Sequence, residues 1–180
     1  MGRQLKWVLF LALFASACLS ACTKTTDVKV QISAQLAKDD AVITGYLKNN
    51  HITANEVDSV GVSTGTGVPT GIYYTIDTLG TGNELFTSST EVTVGYTGRQ
   101  LAADGTLGSV FVTTDKFHPS YVLGELLRGW QLGLPKDQVG GTITLYLPSH
   151  YAYGPYVQSD YNLPANAILV FQIKLYNVTN

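Results

Sequence analysis

The chain of 180 residues has room for one domain of ordinary size together with an N-terminal leader. Hydrophobic residues make up 45% and charged residues only 13%, so the chain can bury a core and is not a disordered polypeptide. The formal net charge is -2, without a run of Lys or Arg after the first residues, which argues against nucleic acid as a partner. The 3 histidines lie far apart in the sequence, and we predict neither a metal site nor a cofactor.

The first residues have the pattern of a secretory leader. Arg3 and Lys6 precede an uncharged, mostly apolar run from Trp7 to Ala17. A run of about 11 residues suits the core of a signal peptide and is too short to span a bilayer comfortably.

The segment Leu-Ser-Ala-Cys at residues 19–22 resembles the bacterial lipobox, in which the cysteine receives a diacylglycerol and the chain is cut just before it. The resemblance implies a lipoprotein signal peptide over residues 1–21 and lipidation of Cys22, which would anchor the protein to a membrane of the bacterial envelope. Cys18 is a competing site, but it lacks the aliphatic residue three positions earlier. The alternative is an ordinary secretory signal that leaves Cys22 as a spare thiol.

Residues 22–70 are predicted to form a tether and an N-terminal helical segment. Thr23–Lys29 is polar and rich in Thr, as is typical of a tether. Between Leu36 and Asn49 four apolar residues fall on one helical face: Leu36, Ile43, Tyr46 and Leu47. Asp39 and Asp40 fit the early turns of such a helix. We expect the helix to pack against the following domain; the alternative is an arm that contacts a partner.

After this helix the pattern changes to strands and turns. Val60–Thr70 is consistent with a short strand followed by a linker. The predicted strands are rich in β-branched and aromatic residues or alternate apolar with polar residues, and they cover residues 72–76, 91–96, 109–112, 121–123, 142–147 and 167–176. Residues 79–83 and 98–105 are predicted turns, and Leu126–Leu134 is a single short helix. An α+β fold, with one short helix across an antiparallel sheet, is the economical arrangement of these elements.

Several short motifs follow one another between Gly71 and the C-terminus. They are Val-Gly-Tyr-Thr-Gly at 94–98, Asp-Gly at 104–105, the stretch from Leu123 to Leu134, Val-Gly at 139–140, and the stretches 147–154 and 163–171. In this order and spacing they resemble the FKBP family of peptidyl-prolyl cis/trans isomerases. The N-terminal helix followed by residues 70–74 resembles lipoprotein members of the family. The resemblance implies an isomerase domain over residues 71–180, with an FKBP-like antiparallel β-sheet wrapped around a short helix.

The resemblance also implies an apolar pocket for a proline side chain between the sheet and the short helix. The roles carried over are Trp130 as the floor, Tyr96, Phe171 and Leu127 as walls, Leu126 at the rim with its backbone, Tyr153 as the hydroxyl that reaches the substrate carbonyl, Ala152 beside it, and Leu163 in the covering loop. That loop, from Gly154 to Leu163, carries one residue more than the compact family form.

This chain departs from the family pattern at one wall of the pocket. Where the family has a pocket phenylalanine and an aspartate that helps to orient the bound carbonyl, this sequence has Gly108 and Ser109. Phe111 or Phe117 would have to refill the pocket. Asp137 stands where a buried methionine is common in the family.

The sequence therefore predicts an isomerase of proline-containing polypeptides that assists the folding of exported proteins at the cell envelope. Rotation about an X-Pro amide crosses a barrier of about 18–20 kcal/mol without breaking a bond to carbon, so it needs no nucleophile or metal. The alternative is a catalytically weak FKBP-fold lipoprotein that binds peptides or proteins in a chaperone-like manner. The oligomeric state is left open.

Overall fold

The computed structural model describes residues 19–58, 69–114 and 116–180. Most of the predicted signal peptide and residues 60–68 of the predicted strand and linker lie outside the described residues. The chain divides into two compact units, Met1–Gln35 and Leu36–Asn180. The second unit contains all of the sheet and the core.

Helix α1, Leu19–Asn49, begins much earlier than the predicted start near Leu36. It includes Thr23–Lys29, the segment predicted to be a tether; a helical segment is a semi-rigid spacer of about 1.5 Å per residue. Because Asp39 and Asp40 lie well past the first turn, their assignment to the early turns of the helix is wrong. Their positions need another explanation, since the helix dipole acts only within the terminal turns.

Within the described residues, seven strands form one antiparallel sheet. In chain order they are β1 Asn55–Asp58, β2 Pro69–Thr78, β3 Glu91–Leu101, β4 Leu107–Thr113, β5 Ser120–Val122, β6 Thr142–Leu147 and β7 Ile168–Thr179. The order across the sheet is β1-β2-β6-β7-β3-β4, and β5 pairs with β3. The α+β architecture predicted from the sequence is confirmed, although strand β1 was not predicted.

The turn predicted over residues 98–105 is wrong in its first half. Strand β3 continues through Gly98 to Leu101, with Gly98 opposite Phe171 of β7 and Val112 of β4. A Cβ atom at residue 98 would lie 2.7 Å from Phe171 Cε1 and 2.8 Å from Phe111 Cζ. This glycine therefore marks a close approach of aromatic side chains to a strand, not a turn.

One face of the sheet packs on the short helix α2, Arg128–Gly133. Two glycines one turn apart allow the helix to lie close to β6: a Cβ at Gly129 would be 2.6 Å from Leu147 Cδ2, and one at Gly133 would be 2.6 Å from Leu145 Cδ2. A helix of 6 residues is too short to be stable alone, so this packing maintains it. The main core lies between α2 and this face.

The other face of the sheet packs on the C-terminal part of α1. Ile43 and Leu47 are buried there against Tyr146 of β6 and Val170 of β7. Alternate residues of a strand face opposite sides, so Leu145 and Leu147 reach the first core while Tyr146 reaches the second. The prediction that this helix packs against the domain is confirmed.

Candidate active site

A cleft of about 250 Å³ lies where α2 meets the sheet. Its lining is almost wholly aromatic or aliphatic and comes from four strands, from α2 with the residues just before it, and from the connection between β6 and β7. The lining residues are Tyr96, Val112, Tyr121, Leu126, Leu127, Trp130, Tyr153, Tyr161 and Phe171.

Three rings at the bottom of the cleft contact one another edge to face. The ring centroids of Trp130 and Tyr96 are 5.0 Å apart with an interplanar angle of 89°, and those of Trp130 and Phe171 are 5.2 Å apart at 80°. The Tyr96 and Phe171 rings are 6.3 Å apart at 64°. Aromatic pairs prefer this geometry, which fixes each ring at an angle to the next. The bottom of the cleft is therefore a preformed surface.

Trp130 is only 3% exposed. Its indole Nε1 is buried and has no hydrogen-bond partner among residues 19–58, 69–114 and 116–180. A buried Trp N–H usually finds an acceptor, so this donor is an exception in a well-packed core. The residue that carries this donor lines the cleft.

Four tyrosines supply the polar groups of the cleft. The Tyr96 hydroxyl is hydrogen-bonded to Tyr121, and the Tyr153 and Tyr161 rings stack with centroids 6.3 Å apart. Burial raises the pKa of Tyr96 well above its usual value, and the hydrogen bond with Tyr121 raises it further. Burial also raises the pKa of Tyr153. The hydroxyls of Tyr96 and Tyr153 therefore stay protonated at neutral pH and can donate hydrogen bonds.

Leu126 and Leu127, the two residues directly before α2, form the rim of the cleft. The Leu126 N–H donates to the carbonyl of Leu123 (3.2 Å), and its carbonyl accepts from Gln131 Nε2 (2.8 Å). A carbonyl oxygen has two lone pairs, so the Leu126 oxygen can accept one more hydrogen bond. The backbone that Leu126 was predicted to offer is therefore limited to its carbonyl.

Phe111 packs behind two residues that line the cleft, Phe171 and Tyr161. Its ring contacts Phe171, with centroids 5.9 Å apart, and Tyr161, with centroids 5.7 Å apart. Phe117 is 59% exposed, whereas Phe111 packs against the core beside two residues that line the cleft. The pairing of β4 with β3 shifts register twice, between Gly98 and Arg99 and again before Leu101, so alternation along β4 does not predict which residues face the cleft.

Six of the nine residues predicted for the pocket line the cleft: Tyr96, Leu126, Leu127, Trp130, Tyr153 and Phe171. Phe111, Ala152 and Leu163 do not line it but pack against the same core. Leu163 is 3% exposed, and its N–H and carbonyl pair with Gln158, which closes the loop that carries Tyr161.

Three lining residues were not predicted from the sequence: Val112, Tyr121 and Tyr161. Strand β5 is so short that its alternation only weakly indicated that Tyr121 faces the cleft. The loop from Gly154 to Leu163 is longer than in the compact family form, so the resemblance did not indicate a position for Tyr161.

Asp137 is a buried carboxyl in the connection between α2 and β6. It is 3% exposed, and neither carboxyl oxygen has a hydrogen-bond partner in the described part of the chain. Burial raises the pKa of Asp137 to about 6, and the nearby backbone N–H of Gln138 offsets this only in part. The residue does not line the cleft, so it concerns stability and not the site itself.

The described residues also bear on membrane insertion and on metal binding. Within 19–58, 69–114 and 116–180 no helix has the length and apolar character needed to cross a bilayer. The same residues contain no group of three or more His, Cys, Asp or Glu side chains placed to hold a metal ion. Cys22 falls within α1, and its lipidation stays a prediction.

Comparison with known proteins gives consistent matches. The family profile described as FKBP-type peptidyl-prolyl cis-trans isomerase matches residues 82–176. The chain is 35% identical over 118 residues to the FKBP-type peptidyl-prolyl cis-trans isomerase FkpA of Buchnera aphidicola, covering 61% of this chain and 42% of that protein. It is 31% identical over 111 residues to FK506-binding protein 1 of Gibberella zeae, covering 60% of this chain and 98% of that protein.

A solved structure is also similar. The crystal structure of a peptidyl-prolyl cis-trans isomerase from Pseudomonas syringae superposes with a TM-score of 0.63 at 25% identity, covering 82% of this chain and 96% of that one. The chain spans less than half the length of the Buchnera protein, so what that whole protein does is not transferred directly.

Proposed function

The chain belongs to the FKBP-type peptidyl-prolyl cis-trans isomerases, and from that premise we propose that its aromatic cleft isomerises X-Pro bonds of proline-containing polypeptides. The observation that carries the proposal is the mutual contact of Trp130, Tyr96 and Phe171 at the bottom of an open apolar cleft. The cleft volume of about 250 Å³ is just below the range of about 300–1,000 Å³ of drug-sized ligand sites, which suits one prolyl ring of a longer peptide.

The chemistry that such a cleft can perform follows from the amide itself. The planar X-Pro amide is more dipolar than the twisted one, because twisting removes the delocalisation of the nitrogen lone pair. An environment poor in water therefore destabilises the planar form relative to the transition state. This desolvation is supported by the edge-to-face packing of Trp130, Tyr96 and Phe171, which leaves an apolar floor and walls.

Hydrogen bonds at the mouth of the cleft would add to this effect. In the proposed mechanism, the Tyr153 hydroxyl donates to the carbonyl that precedes the proline, and the carbonyl of Leu126 accepts an N–H of the peptide. Donors that fit the twisted carbonyl better than the planar one lower the barrier, since only differential binding accelerates a reaction. Tyr161, stacked on Tyr153, places a second phenol beside the same position.

The resemblance to the family implies an aspartate where this chain has Ser109, and this difference favours a second candidate function, a binding module with little catalysis. In this chain the hydroxyl of Tyr121 is the hydrogen-bond partner of Tyr96. A hydroxyl is a weaker acceptor than an ionised carboxyl, and charge-assisted hydrogen bonds are roughly twice as strong as neutral ones. The isomerase would therefore act with a less strongly oriented tyrosine at this wall.

The test is a cis/trans assay on a short X-Pro peptide with the wild-type protein and two Trp130 variants. We expect Trp130→Ala to lower kcat/KM by about tenfold or more, which corresponds to about 1.4 kcal/mol of lost transition-state stabilisation. Trp130→Leu, which refills part of the volume, should fold like the wild type and still lose activity. Tyr176→Ala is the matched control, because Tyr176 is an aromatic residue that does not line this cleft.

Each outcome separates the two candidates. Catalysis that is lost in both Trp130 variants and kept in the Tyr176 variant supports the isomerase. Peptide binding by the wild type without catalysis would overturn the isomerase and support the binding module. Activity that persists in folded Trp130 variants would show that this cleft is not the site.

We further propose that the protein acts on exported polypeptides at the bacterial envelope, held there through Cys22. The support is the sequence pattern of the leader together with the similarity to FkpA proteins.

A further inference from the structure

A buried polar contact joins α1 to the segment that carries Tyr153. Asp39 is 2% exposed and Ser149 is 1% exposed. One carboxyl oxygen of Asp39, Oδ2, accepts from the backbone N–H of Ser149 at 2.8 Å and from its Oγ–H at 2.6 Å. Buried polar groups with two short hydrogen bonds fix the relative position of the elements they join. The contact therefore fixes Ser149 relative to α1.

Ser149 in turn fixes the backbone on both sides of Tyr153. It begins a 3-10 turn, Ser149–Tyr151. Its carbonyl accepts from the N–H of Ala152 at 3.0 Å and from the N–H of Gly154 at 2.8 Å, so it binds the residues directly before and after Tyr153. The carbonyl of Gly154 accepts from the N–H of Asn166 at 2.8 Å, which ties the end of the segment to the chain that enters β7.

We propose that Asp39 is a positioning residue for the isomerase reaction, which acts through Ser149 to hold the Tyr153 hydroxyl at the mouth of the cleft. The proposal rests on the proposed function of that cleft. Asp39 does not line the cleft and would not touch the substrate. Its effect would be to narrow the range of orientations of Tyr153, and small misplacements of a hydrogen-bonding group lower the rate of a reaction strongly.

The contact is distinct from the general attachment of α1 to the sheet. Ile43 and Leu47 attach the same helix through apolar packing against the other face of the sheet. The neighbouring Asp40 accepts from the Tyr73 hydroxyl at 2.8 Å, which joins α1 to β2 and not to the Tyr153 segment. Asp40 is therefore a matched control, because it is an acidic residue on the same turn that makes one tertiary hydrogen bond elsewhere.

The experiment compares Asp39→Ala, Asp39→Asn and Asp40→Ala in the full chain. Asp39→Ala removes both hydrogen bonds, and we expect kcat to fall about tenfold with a smaller change in KM. Asp39→Asn keeps an oxygen at the position of Oδ2, and this oxygen can accept both hydrogen bonds. We therefore expect Asp39→Asn to keep most of the wild-type kcat, unlike Asp39→Ala. Asp40→Ala should lower thermal stability with kcat unchanged.

A second measurement reports the position of the segment without using activity. Backbone amide shifts of Ser149 to Gly154 and ring shifts of Tyr153, measured by NMR, should move in Asp39→Ala and stay in place in Asp40→Ala. If the wild type is active and folded Asp39→Ala keeps its kcat, the proposal is overturned. If the wild type is inactive, the proposed function fails, and the shifts alone then decide whether Asp39 positions Tyr153.

A milder variant covers the case in which Asp39→Ala does not fold. Ser149→Ala removes the bond from Oγ and keeps the bond from the backbone N–H. We expect a loss in kcat of about two- to fivefold, because one of two bonds remains. A folded Ser149→Ala protein with unchanged kcat and unchanged Tyr153 shifts would overturn the proposal.

Discussion

At the scale of single residues, Gly98 and Phe111 together determine how the aromatic side chains pack at one wall of the cleft. Gly98 has no side chain, and this leaves space on β3 for the rings of Phe111 and Phe171. The Phe111 ring then supports Phe171 and Tyr161, both of which line the cleft. Phe111, three positions after Gly108, thus supports two lining residues without lining the cleft itself.

Replacement of Phe111 tests this arrangement. Phe111→Ala removes two edge-to-face contacts, and we expect it to lower the free energy of unfolding by about 1–3 kcal/mol and kcat/KM by about three- to tenfold. Phe117→Ala is the control, because this exposed ring should change stability by no more than about 0.5 kcal/mol. Denaturant unfolding and the X-Pro assay measure both effects. Equal behaviour of the two variants would contradict the supporting role of Phe111.

At the scale of elements, the connection between α2 and β6 contains a buried acidic residue, Asp137, whose ionisation lowers the stability of the fold. Asp137 follows the 3-10 turn Leu134–Lys136 and lies near Asp77, whose charge also raises the pKa of Asp137. The folded pKa of about 6 is higher than the value of 3.8 expected for an unfolded chain. The folded state therefore binds the proton more tightly than the unfolded state, and stability decreases as the pH rises between these values.

Asp137→Asn should remove this pH dependence. We expect the variant to be more stable than the wild type at pH 7 by on the order of 1–2 kcal/mol, because it no longer buries a charge. Its free energy of unfolding should also vary less between pH 4 and 6. Denaturant unfolding at several pH values measures this, with the exposed Glu91→Gln as the control. A wild-type protein that loses stability as the pH falls from 6 to 4, relative to Asp137→Asn, would contradict the assignment.

At the scale of the whole domain, the two faces of the sheet pack against different helices. One face forms the cleft with α2, and the other is covered by the C-terminal part of α1. Strands β6 and β7 lie in the middle of the sheet and contribute alternate residues to the two cores. The contact between Asp39 and Ser149 gives α1 a connection to the cleft side as well.

The proposed membrane anchor is tested at the same scale. Cys22→Ala should move the protein from the membrane fraction to the soluble fraction and abolish incorporation of labelled fatty acid, since stable anchoring depends on several acyl chains. Cys18→Ala, at the competing cysteine, should leave the protein in the membrane fraction. Retention of Cys22→Ala in the membrane, or release of Cys18→Ala, would contradict lipidation at Cys22.

The sequence by itself predicted the α+β fold and one short helix within residues 126–134, which the structure has at Arg128–Gly133. The resemblance to the FKBP family, and not the local pattern, supplied the six predicted residues that line the cleft. The fold class and the helix could be predicted because strand alternation and helical spacing are patterns of a few neighbouring residues.

Only the tertiary structure decided that Phe111 and not Phe117 supports the wall, that Tyr121 and Tyr161 join the lining, and that Asp39 meets Ser149. The physical reason is distance along the chain and register: Asp39 and Ser149 are 110 positions apart, and two irregularities in the pairing of β3 with β4 change which side chains face the cleft. Local patterns do not contain either kind of information.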